Sequence, residues 1–278
     1  MHELVTRELP VVGSDLSTEP RRLRLLLGDR ADEAPHIVGD VTELEALDRA
    51  VDGHGITNLI HLAALLVPLV RANPPLGAQV NVTGAPSMSS RSRRDGSWPP
   101  SSTRRRSPPR ARRARSGPPR HAYGVFKRAN ESTAYVYHAE RRLASVGLRP
   151  HTVYGVGRDQ GTTSAPTTAM LAAAPGGAAP FQVAADIAHA FIAASVASPI
   201  GASVHNLPGQ TVEISDLISM LGRVAPSADI DCPGVSGRDR QRVVASLAPD
   251  LEMTPLQDGV RLMIERFGER LSCESPDW

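Results

Sequence analysis

Short apolar runs alternate with helix-like stretches along the first 64 residues of the chain. The runs at residues 11–15, 36–40 and 57–64 each predict a buried strand. After the second run, Thr42 and Glu45 have the spacing of a capping box, which predicts that a helix begins there. Strands and helices that alternate at this pace are typical of a parallel, doubly wound sheet. The sequence therefore predicts an α/β protein.

The predicted strands end in residues that suit a ligand site. Asp15 and Asp40 end the first two strands, and the small residues Ala63 and Ala64 end the third. Parallel sheets of this kind bind ligands at the carboxyl ends of their strands. An aspartate in this position is also common in turns and caps, and small residues also serve ordinary packing, so both interpretations stay open on the residues alone.

A tyrosine and a lysine are the strongest candidates for chemistry. Tyr123 and Lys127 begin a helix-like run that extends to Leu143, and at a spacing of four residues they lie one turn apart on the same face. An ammonium group near a phenol stabilises the phenolate, which a tyrosine needs in order to act as an acid or base near neutral pH. The alternative is an amphipathic helix with one aromatic residue and one solvated lysine.

Composition narrows the class of protein. The chain has 278 residues, enough for a large core, and it has no apolar run of about 18 residues, so we expect no membrane span. Its N-terminus lacks the basic start and the apolar centre of a secretory signal. Two cysteines, Cys232 and Cys273, are too few for a disulfide framework or a metal site. We therefore expect a cytoplasmic protein without a metal.

The net charge of +2 conceals one basic segment. Residues 86–120 contain eleven arginines and a single acid, Asp95, and 27 of these 35 residues are Arg, Ser or Pro. A segment of this composition cannot bury enough apolar surface to form a core element. One interpretation is a basic arm that binds nucleic acid or another acidic partner. Trp98 is the only aromatic residue of the segment that could stack on a base, which disfavours nucleic acid as a partner.

Five short motifs in order along the chain carry a resemblance to a known family. The chain resembles the NAD-dependent epimerase/dehydratase family, the extended short-chain dehydrogenases/reductases, over nearly its whole length outside two gaps. The resemblance implies a Rossmann-like domain, NAD as cofactor, a small C-terminal substrate lobe and a small-molecule substrate. The matching motifs are Gly39-Asp40-Val41-Thr42, His61-Leu62-Ala63-Ala64, Asn81-Val82-Thr83-Gly84, Tyr123-x-x-x-Lys127 and Leu148-Arg149-Pro150-x-x-Val153-Tyr154-Gly155.

The resemblance also assigns roles to individual residues. It implies that Asp15 binds the adenosine ribose and, by repelling a 2′-phosphate, favours NAD over NADP. Tyr123 is implied to be the catalytic acid/base, and Lys127 is implied to hold the nicotinamide ribose and to lower the pKa of the tyrosine. The other implied cofactor contacts are Asp40, Val41, Leu62, Ala63, Ala64, Asn81, Pro150 and Val153.

Asn81 and the candidate substrate residue Arg158 each have a second interpretation that involves no ligand. Asn81 is implied to lie near the active site, but a lone asparagine commonly caps a helix or a turn. Arg158, in a glycine-rich loop, is implied to meet an anionic group of the substrate, or it is a solvated loop charge. The substrate itself is not identified: sugar nucleotides are the commonest substrates among such relatives, and other hydroxy compounds occur.

Two stretches depart from the pattern of the family. Its members open with a strand and a Gly-x-x-Gly-x-x-Gly turn that holds the pyrophosphate. No match to this turn precedes the first predicted strand, so we expect an N-terminal truncation. Residues 86–120 stand where the family has a helix and then a strand that ends in the catalytic serine.

We interpret residues 86–120 as an out-of-frame translation, because GC-rich coding DNA read out of frame yields Arg, Ser and Pro. With one choice of GC-leaning codons assumed for residues 86–106, reading from the third base gives Val-Asn-Val-Phe-Glu-Val-Ala-Ala-Arg-Arg and then Val-Leu-Ala-Ala-Val-Val-Tyr-Ala-Ser-Ser. This is a helix followed by a strand that ends in serines, and the frame is restored near His121. We therefore expect little activity and weak NAD affinity. An unbroken frame in several related isolates would contradict the interpretation.

The predicted organisation has four parts. Residues 1–85 form a partial NAD-binding domain, residues 86–120 a disordered segment, residues 121–160 the continuation of the domain with the Tyr/Lys helix, and residues 161–278 the substrate lobe. The lobe has predicted helices at 183–196 and 255–267 and strands at 204–207 and 242–245. A strand is predicted at 148–154. Relatives commonly pair through the Tyr/Lys helix, so a homodimer is a further expectation.

Overall fold

The structure, a computed structural model, describes most of the chain in several ranges. These are residues 1–18, 21–83, 119, 121–155, 178–196, 201–213, 216–217, 219–220, 223 and 253–271. Three sequence predictions lie wholly or mostly outside the described residues: the basic segment at 86–120, the loop with Arg158, and the strand at 242–245. The described chain falls into two compact units. Unit 1 comprises residues 1–38, 148–195 and 204–278, and unit 2 comprises residues 39–147 and 196–203.

Unit 1 begins with a small parallel sheet. Its elements are α1 (His2–Thr6), β1 (Gly13–Asp15), α2 (Arg21–Leu27), a 3₁₀ helix (Gly28–Glu33) and β2 (His36–Val38). β1 pairs with β2 in parallel, with Gly13 opposite His36 and Asp15 opposite Val38. The helices pack together through the buried cluster of Val5, Leu27, Ala31 and Ala34. The parallel pairing of the first two predicted strands is thus confirmed.

The rest of unit 1 combines a second sheet with two helices. β4 (Thr152–Tyr154) runs parallel to β5 (Ala178–Val183), which pairs in the antiparallel direction with β7 (Gln210–Glu213). The apolar helix α7 (Ala184–Val196) and the amphipathic helix α8 (Leu256–Leu271) pack against this sheet. Their core consists of Tyr154, Val183, Leu217, Leu256, Val260 and Met263, with a second cluster of Ile187, Ala190 and Leu207. Both predicted helices of this region are therefore present.

The strand predicted at 148–154 is interrupted. β3 (Ser145–Arg149) pairs with β6 (Ala202–Asn206), and β4 starts only at residue 152. Pro150 lies between them, and a proline lacks the N–H that a central ladder needs. The Gln182 side-chain oxygen accepts a hydrogen bond from the His151 N–H at 2.7 Å, which satisfies the next backbone donor.

Unit 2 is mainly helical in its described part. Its helices are α3 (Leu44–Gly53), α4 (Val67–Ala72), α5 (Pro74–Ala78), a π-helical turn (Gln79–Thr83) and α6 (Ala122–Arg141). Asn73 caps α5, because its side-chain oxygen accepts a hydrogen bond from the Leu76 N–H at 3.1 Å. α6 packs against α4, α5 and the π-helical turn. It starts after His121, whose Nδ1 accepts a hydrogen bond from the Gly124 N–H at 3.2 Å.

Two predictions for unit 2 are wrong. Residues 57–64 have no regular secondary structure, because a strand needs a hydrogen-bonded neighbour and no described strand pairs with this segment. The capping box at Thr42 is not formed either. Instead Asp40 accepts hydrogen bonds from both the N–H and the hydroxyl of Thr42, each at 2.8 Å, and α3 begins at Leu44 without a side-chain cap. Among the helices in the described ranges, none has the length and apolar composition needed to cross a bilayer.

The N-terminal helix of unit 1 is tied to α7 by a carboxylate between two histidines. Glu3 Oε2 lies 2.7 Å from His189 Nε2, and Glu3 Oε1 lies 3.4 Å from His2 Nδ1. Burial alone would raise the pKa of the Glu3 carboxyl. The hydrogen bonds and charges of His189 and His2 outweigh burial and hold this pKa below its usual value.

Acid is expected to weaken unit 1 through Glu3. A carboxyl whose pKa is lower in the folded than in the unfolded chain contributes stability that is present above pH 4.5 and is lost as the pH falls through the folded pKa. The Tm of Glu3→Gln is therefore expected to depend less on pH below 4.5 than the Tm of the parent chain. The exposed Glu45→Gln is the control. Equal pH dependence in the parent chain and Glu3→Gln would contradict this account.

Candidate functional site

α6 carries the predicted tyrosine and lysine on one face. The Nζ atom of Lys127 lies 5.2 Å from the centroid of the Tyr123 ring, within the range of a cation–π contact. Both side chains are half-buried. Burial lowers the pKa of the Lys127 ammonium, because removal from water disfavours the charged form. No ion pair involves Lys127 in the part of the chain that the structure describes, so its charge is available to a ligand.

Lys127 is the only lysine in the chain, whereas the chain contains thirty arginines. A lysine differs from an arginine because its ammonium group is compact and its pKa shifts when it is buried. The pKa shift of Lys127 is of this kind. The chain has arginine at every other Lys/Arg position, so a lysine one turn after Tyr123 is distinctive. This difference in composition can be seen in the sequence, and it supports a special role for Lys127 beyond what the motif alone indicates.

His61 lies close enough to Lys127 to respond to its charge. The pKa of His61 is lowered first by burial and second by the positive charge of Lys127. The Nε2 atom of His61 is buried and has no hydrogen-bond partner among the described residues. Sequence reasoning included His61 in a family motif but assigned roles only to the three residues after it. The proximity of His61 to Lys127 could not be seen without the fold.

Asn81 connects the π-helical turn to α6. Its side chain is fully buried, and its Nδ2 donates hydrogen bonds to the carbonyl oxygens of Leu65 at 3.1 Å and Gly77 at 2.9 Å. The backbone carbonyl oxygen of Asn81 accepts a hydrogen bond from Asn130 Nδ2 at 2.8 Å. Asn130 follows Lys127 by three residues on the same face of α6. The structure therefore brings Asn81 to the helix of the Tyr/Lys pair.

Asn130 was missed by the sequence analysis. Its position seven residues after Tyr123 and three after Lys127 was the available signal, because these spacings repeat one helical face. The side-chain oxygens of both Asn81 and Asn130 are buried, and neither has a hydrogen-bond partner among the residues described here. A buried acceptor without a donor is costly, so such atoms commonly mark a ligand or water site.

The remaining cofactor candidates of unit 2 lie before the Tyr/Lys helix. The Asp40 carboxylate is engaged by Thr42 in an Asx turn, and Val41 between them is half-buried. In the irregular segment after α3, Ala63 and Ala64 are half-buried, whereas 65% of the surface of Leu62 is exposed. The structure thus leaves the Leu62 side chain open to contact, and its role stays a prediction.

Asp15 lies in unit 1 at the carboxyl end of β1. One carboxylate oxygen accepts a hydrogen bond from the Ser17 N–H at 3.0 Å. Asp15 therefore forms a turn, which the sequence analysis gave as the alternative to a ligand contact. The ring of His36 holds the same loop, since its Nε2 lies 2.8 Å from the Ser17 carbonyl oxygen. Asp15 is exposed, and a ribose contact through its second oxygen stays a prediction.

The two predicted nicotinamide contacts also lie in unit 1. Pro150 is exposed between β3 and β4. Val153 is half-buried and packs against the cluster of Ile187, Ala190 and Leu207. Part of the Val153 side chain is thus committed to the core. Arg158 lies outside the described residues.

Asp186 anchors the start of α8. Its two carboxylate oxygens accept hydrogen bonds from the N–H of Thr254 at 2.8 Å and from its hydroxyl at 2.9 Å. The nearby Tyr154 is almost fully buried. Burial first, and the negative charge of Asp186 second, raise the pKa of the Tyr154 phenol. Asp186 therefore fixes the C-terminal helix against the second sheet of unit 1.

Removal of the Asp186 carboxylate is expected to destabilise unit 1. In Asp186→Ala, the half-buried N–H and hydroxyl donors of Thr254 lose their buried acceptor, which is expected to cost about 1–3 kcal/mol of unfolding free energy. The control is Asp258→Ala, whose side chain is 58% exposed on α8 and is expected to change this free energy by less than about 0.5 kcal/mol. Urea denaturation measures both variants. Similar small changes in the two would show that Asp186 is not an anchor.

The fold and the site define a class of protein. Parallel α/β pairing together with a tyrosine and a half-buried lysine one turn apart on a helix is the arrangement of the short-chain dehydrogenases/reductases. Within this class the chain belongs to the NAD dependent epimerase/dehydratase family, whose profile matches residues 10–186. A comparison with curated proteins finds no match.

Solved structures of similar fold include two epimerases and a dehydrogenase. UDP-glucose 4-epimerase of Thermus thermophilus in complex with NAD is 20% identical, with a TM-score of 0.71 over 96% of this chain and 93% of that chain. UDP-glucose 4-epimerase of Thermotoga maritima with UDP-glucose is 17% identical, with a TM-score of 0.72 over 97% and 94%. An L-threonine dehydrogenase of Cupriavidus necator is 17% identical, with a TM-score of 0.60 over 81% and 86%. These likenesses show a shared fold.

NAD is the cofactor of the family, and the described residues fit part of it. In unit 2, the half-buried ammonium of Lys127 lacks a described carboxylate partner and suits hydroxyl groups of a ribose. The orphaned oxygens of Asn81 and Asn130 suit hydroxyl or amide donors. In unit 1, the exposed Asp15 suits the adenosine ribose. The described helix N-termini carry no glycine-rich turn that would receive a pyrophosphate.

Proposed function

We propose that this chain is an epimerase/dehydratase-type oxidoreductase that uses NAD and acts on a sugar nucleotide or a related hydroxy compound. The observation that carries the proposal is the half-buried Lys127 against the ring of Tyr123, in a chain of this family. Solved structures of the same fold support the substrate class, since two of them are complexes with UDP-glucose and with UDP-N-acetylmuramic acid.

Tyr123 and Lys127 are proposed to have different roles in the oxidation of a carbinol. The Tyr123 phenolate accepts the proton of the substrate hydroxyl and returns it when the carbonyl is reduced again. NAD⁺, when bound, would supply the hydride acceptor for the same carbon, so that the alcohol would become a ketone by loss of one proton and one hydride. Lys127 would hold the nicotinamide ribose through its ammonium group, and it would stabilise the Tyr123 phenolate. Its partial burial strengthens both interactions, because charges interact more strongly out of water.

Asn81 and Asn130 are proposed to hold α6 in position. The hydrogen bond between them fixes the π-helical turn against the helix that carries Tyr123 and Lys127. Reacting groups must be placed to within a fraction of an ångström for efficient catalysis. The two asparagines therefore act on the reaction through the position of the Tyr/Lys pair.

We propose further that turnover by this chain is slow. The composition of residues 86–120 does not suit the strand and serine that would polarise the substrate oxygen. Loss of one such hydrogen-bond donor typically costs 10²–10³ in rate. The alternative of a nucleic-acid-binding arm stays a prediction: deletion of residues 86–120 would abolish a strongly salt-dependent binding of RNA or DNA.

Turnover of UDP-glucose in the presence of NAD tests the proposal. At high protein concentration, slow formation of an epimerised, dehydrated or oxidised product is expected by NMR. Tyr123→Phe is expected to lower this rate about 10²-fold or more, because the phenolic proton carrier is removed. Tyr135→Phe is the matched control, since Tyr135 is exposed on the same helix. Equal rates in Tyr123→Phe and the parent chain would contradict the assigned role of Tyr123.

A further inference from the structure

Gly77 is a buried residue of α5 at which a side chain would have no room. A Cβ atom here would lie 3.1 Å from both γ-methyl groups of Val70 in α4 and 3.3 Å from Cε2 of Phe126 in α6. Carbon atoms in contact are normally about 3.5–4.0 Å apart. Gly77 has no positive φ angle, so close packing, and not backbone conformation, is what requires a glycine at this position.

Phe126 is the neighbour that would give way to a larger residue. Val70 is only 1% exposed, and its N–H donates a hydrogen bond to the Leu66 carbonyl oxygen at 3.0 Å, at the start of α4. The Phe126 side chain is half-buried on α6, so it has solvent on one side. Because a closely packed interior does not yield easily, volume added at Gly77 is expected to displace Phe126, and α6 with it.

A second contact joins the same two stretches one turn further along. Asn81 follows Gly77 by four residues, and Asn130 follows Phe126 by four. Asn130 Nδ2 donates a hydrogen bond to the backbone carbonyl oxygen of Asn81 at 2.8 Å, and the Asn81 side chain donates one to the Gly77 carbonyl oxygen at 2.9 Å. Lys127 lies between the two contacts, directly after Phe126 and three residues before Asn130. The close packing at Gly77 therefore acts on the part of α6 that carries the Tyr/Lys pair.

We propose that Gly77 is a positioning residue for the Tyr/Lys pair: its missing side chain lets Phe126 approach α5, and this approach sets how deeply α6 is packed at Lys127. The hydrogen bond between Asn81 and Asn130 fixes the position along the helix, whereas the contact at Gly77 fixes the distance between the two elements. The catalytic meaning of this contact rests on the proposed function, but the packing itself does not. A glycine needed only for folding would affect stability and leave the surroundings of Lys127 unchanged.

Alanine and valine in place of Gly77 test the packing in the free protein. Because Lys127 is the only lysine, protein labelled with ¹³C-lysine gives a single Cε resonance that reports its titration. Burial holds the Lys127 pKa low, so a displaced α6 that admits water is expected to raise this pKa. The expected rise is about half a unit, or about threefold in the protonation equilibrium, in Gly77→Ala and about one unit, or about tenfold, in Gly77→Val.

Two other glycines provide matched controls. Gly53→Ala adds a Cβ that meets nothing within 4 Å, and Gly259→Ala adds one that overlaps Tyr154 in unit 1. Neither control is expected to shift the Lys127 titration, although Gly259→Ala is expected to lower the Tm because it overpacks a core. If Gly77→Ala lowers the Tm but leaves the Lys127 pKa unchanged or lowered, the proposal is wrong.

A second substitution, in α4, provides a rescue. Val70→Ala removes both methyl groups that a Cβ at Gly77 would meet. In the double variant Gly77→Ala/Val70→Ala, the Lys127 pKa is expected to return to within about 0.2 units of its value in Val70→Ala alone. A double variant that retains the full shift of Gly77→Ala would overturn the proposal, because the overlap would then not be the cause of the shift. This comparison decides the test if Gly77→Val does not fold.

Enzyme kinetics tests the catalytic meaning separately. A misplacement of about 1 Å can cost about 10²-fold in rate. A displacement of a few tenths of an ångström in Gly77→Ala is therefore expected to lower kcat for UDP-glucose about threefold to tenfold, with KM nearly unchanged, and Val70→Ala is expected to recover most of this loss. A raised Lys127 pKa with an unchanged kcat would contradict the catalytic role of the contact. A parent chain without turnover would contradict the proposed function and leave the titration as the test of the packing.

Discussion

A chain in which residues 86–106 are restored to the alternative reading frame is expected to turn over UDP-glucose at least about 10²-fold faster than the parent chain. The restored segment supplies a helix and a strand that ends in serines in place of 21 residues dominated by Arg, Ser and Pro. A serine hydroxyl aimed at the substrate oxygen is worth about 10²–10³ in rate. NMR analysis of product formed in the presence of NAD measures both chains.

The control for the restored chain carries alanines in place of the serines that end its new strand. Both the restored chain and this control are expected to have a higher Tm than the parent chain, because both contain the apolar strand. The control is expected to lose most of the gain in rate, because it lacks the hydroxyl donor. If restoration of the frame leaves both rate and stability unchanged, the segment is not an out-of-frame remnant. Sequencing of the coding DNA through the codon for His121 addresses the same point independently.

The second large effect is expected in the core of unit 1, at Gly259→Ala. A Cβ atom at Gly259 would overlap the hydroxyl of Tyr154 and a methyl group of Val183. Both of these residues are buried, so neither has open space into which it could move. Overpacking of this kind is expected to cost about 3 kcal/mol or more of unfolding free energy, which exceeds the helix propensity that alanine adds.

Gly53→Ala is the matched control for this effect. Gly53 ends α3 on the surface, and a Cβ there would meet nothing within 4 Å. Its Tm is expected to stay unchanged or to rise slightly, because alanine is the better helix former. Tyr154→Phe in the Gly259→Ala background is expected to recover part of the stability, since it removes one of the two overlapping groups. A Gly259→Ala chain as stable as the parent would contradict the tight packing between α8 and the sheet.

Local features of this protein could be predicted from its sequence. The spacing of Tyr123 and Lys127 predicted one face of α6, and the structure places the Lys127 ammonium against the Tyr123 ring. The first two apolar runs predicted β1 and β2, which pair in parallel. Each of these predictions needs only one segment of the chain, because helical spacing and apolar runs depend on the local geometry of that segment.

Features that depend on distant partners could not be predicted. Residues 57–64 have the composition of a strand but lack a described neighbour to pair with. Asp40 competes successfully for the hydroxyl of Thr42, so the expected capping box is replaced by an Asx turn. His61 and Asn130 acquire their significance only where the fold brings them to Lys127 and Asn81.

The binding of NADH tests the central claim most directly, because the claim is that the lone lysine of this chain serves the ribose of a nicotinamide cofactor. The account predicts weak binding by the parent chain in a fluorescence titration, a further weakening of about tenfold or more in Lys127→Met, and no change in Arg71→Met, which removes an exposed cation of the same unit. Binding that is equal in the parent chain and Lys127→Met, or that weakens equally in both variants, would contradict it.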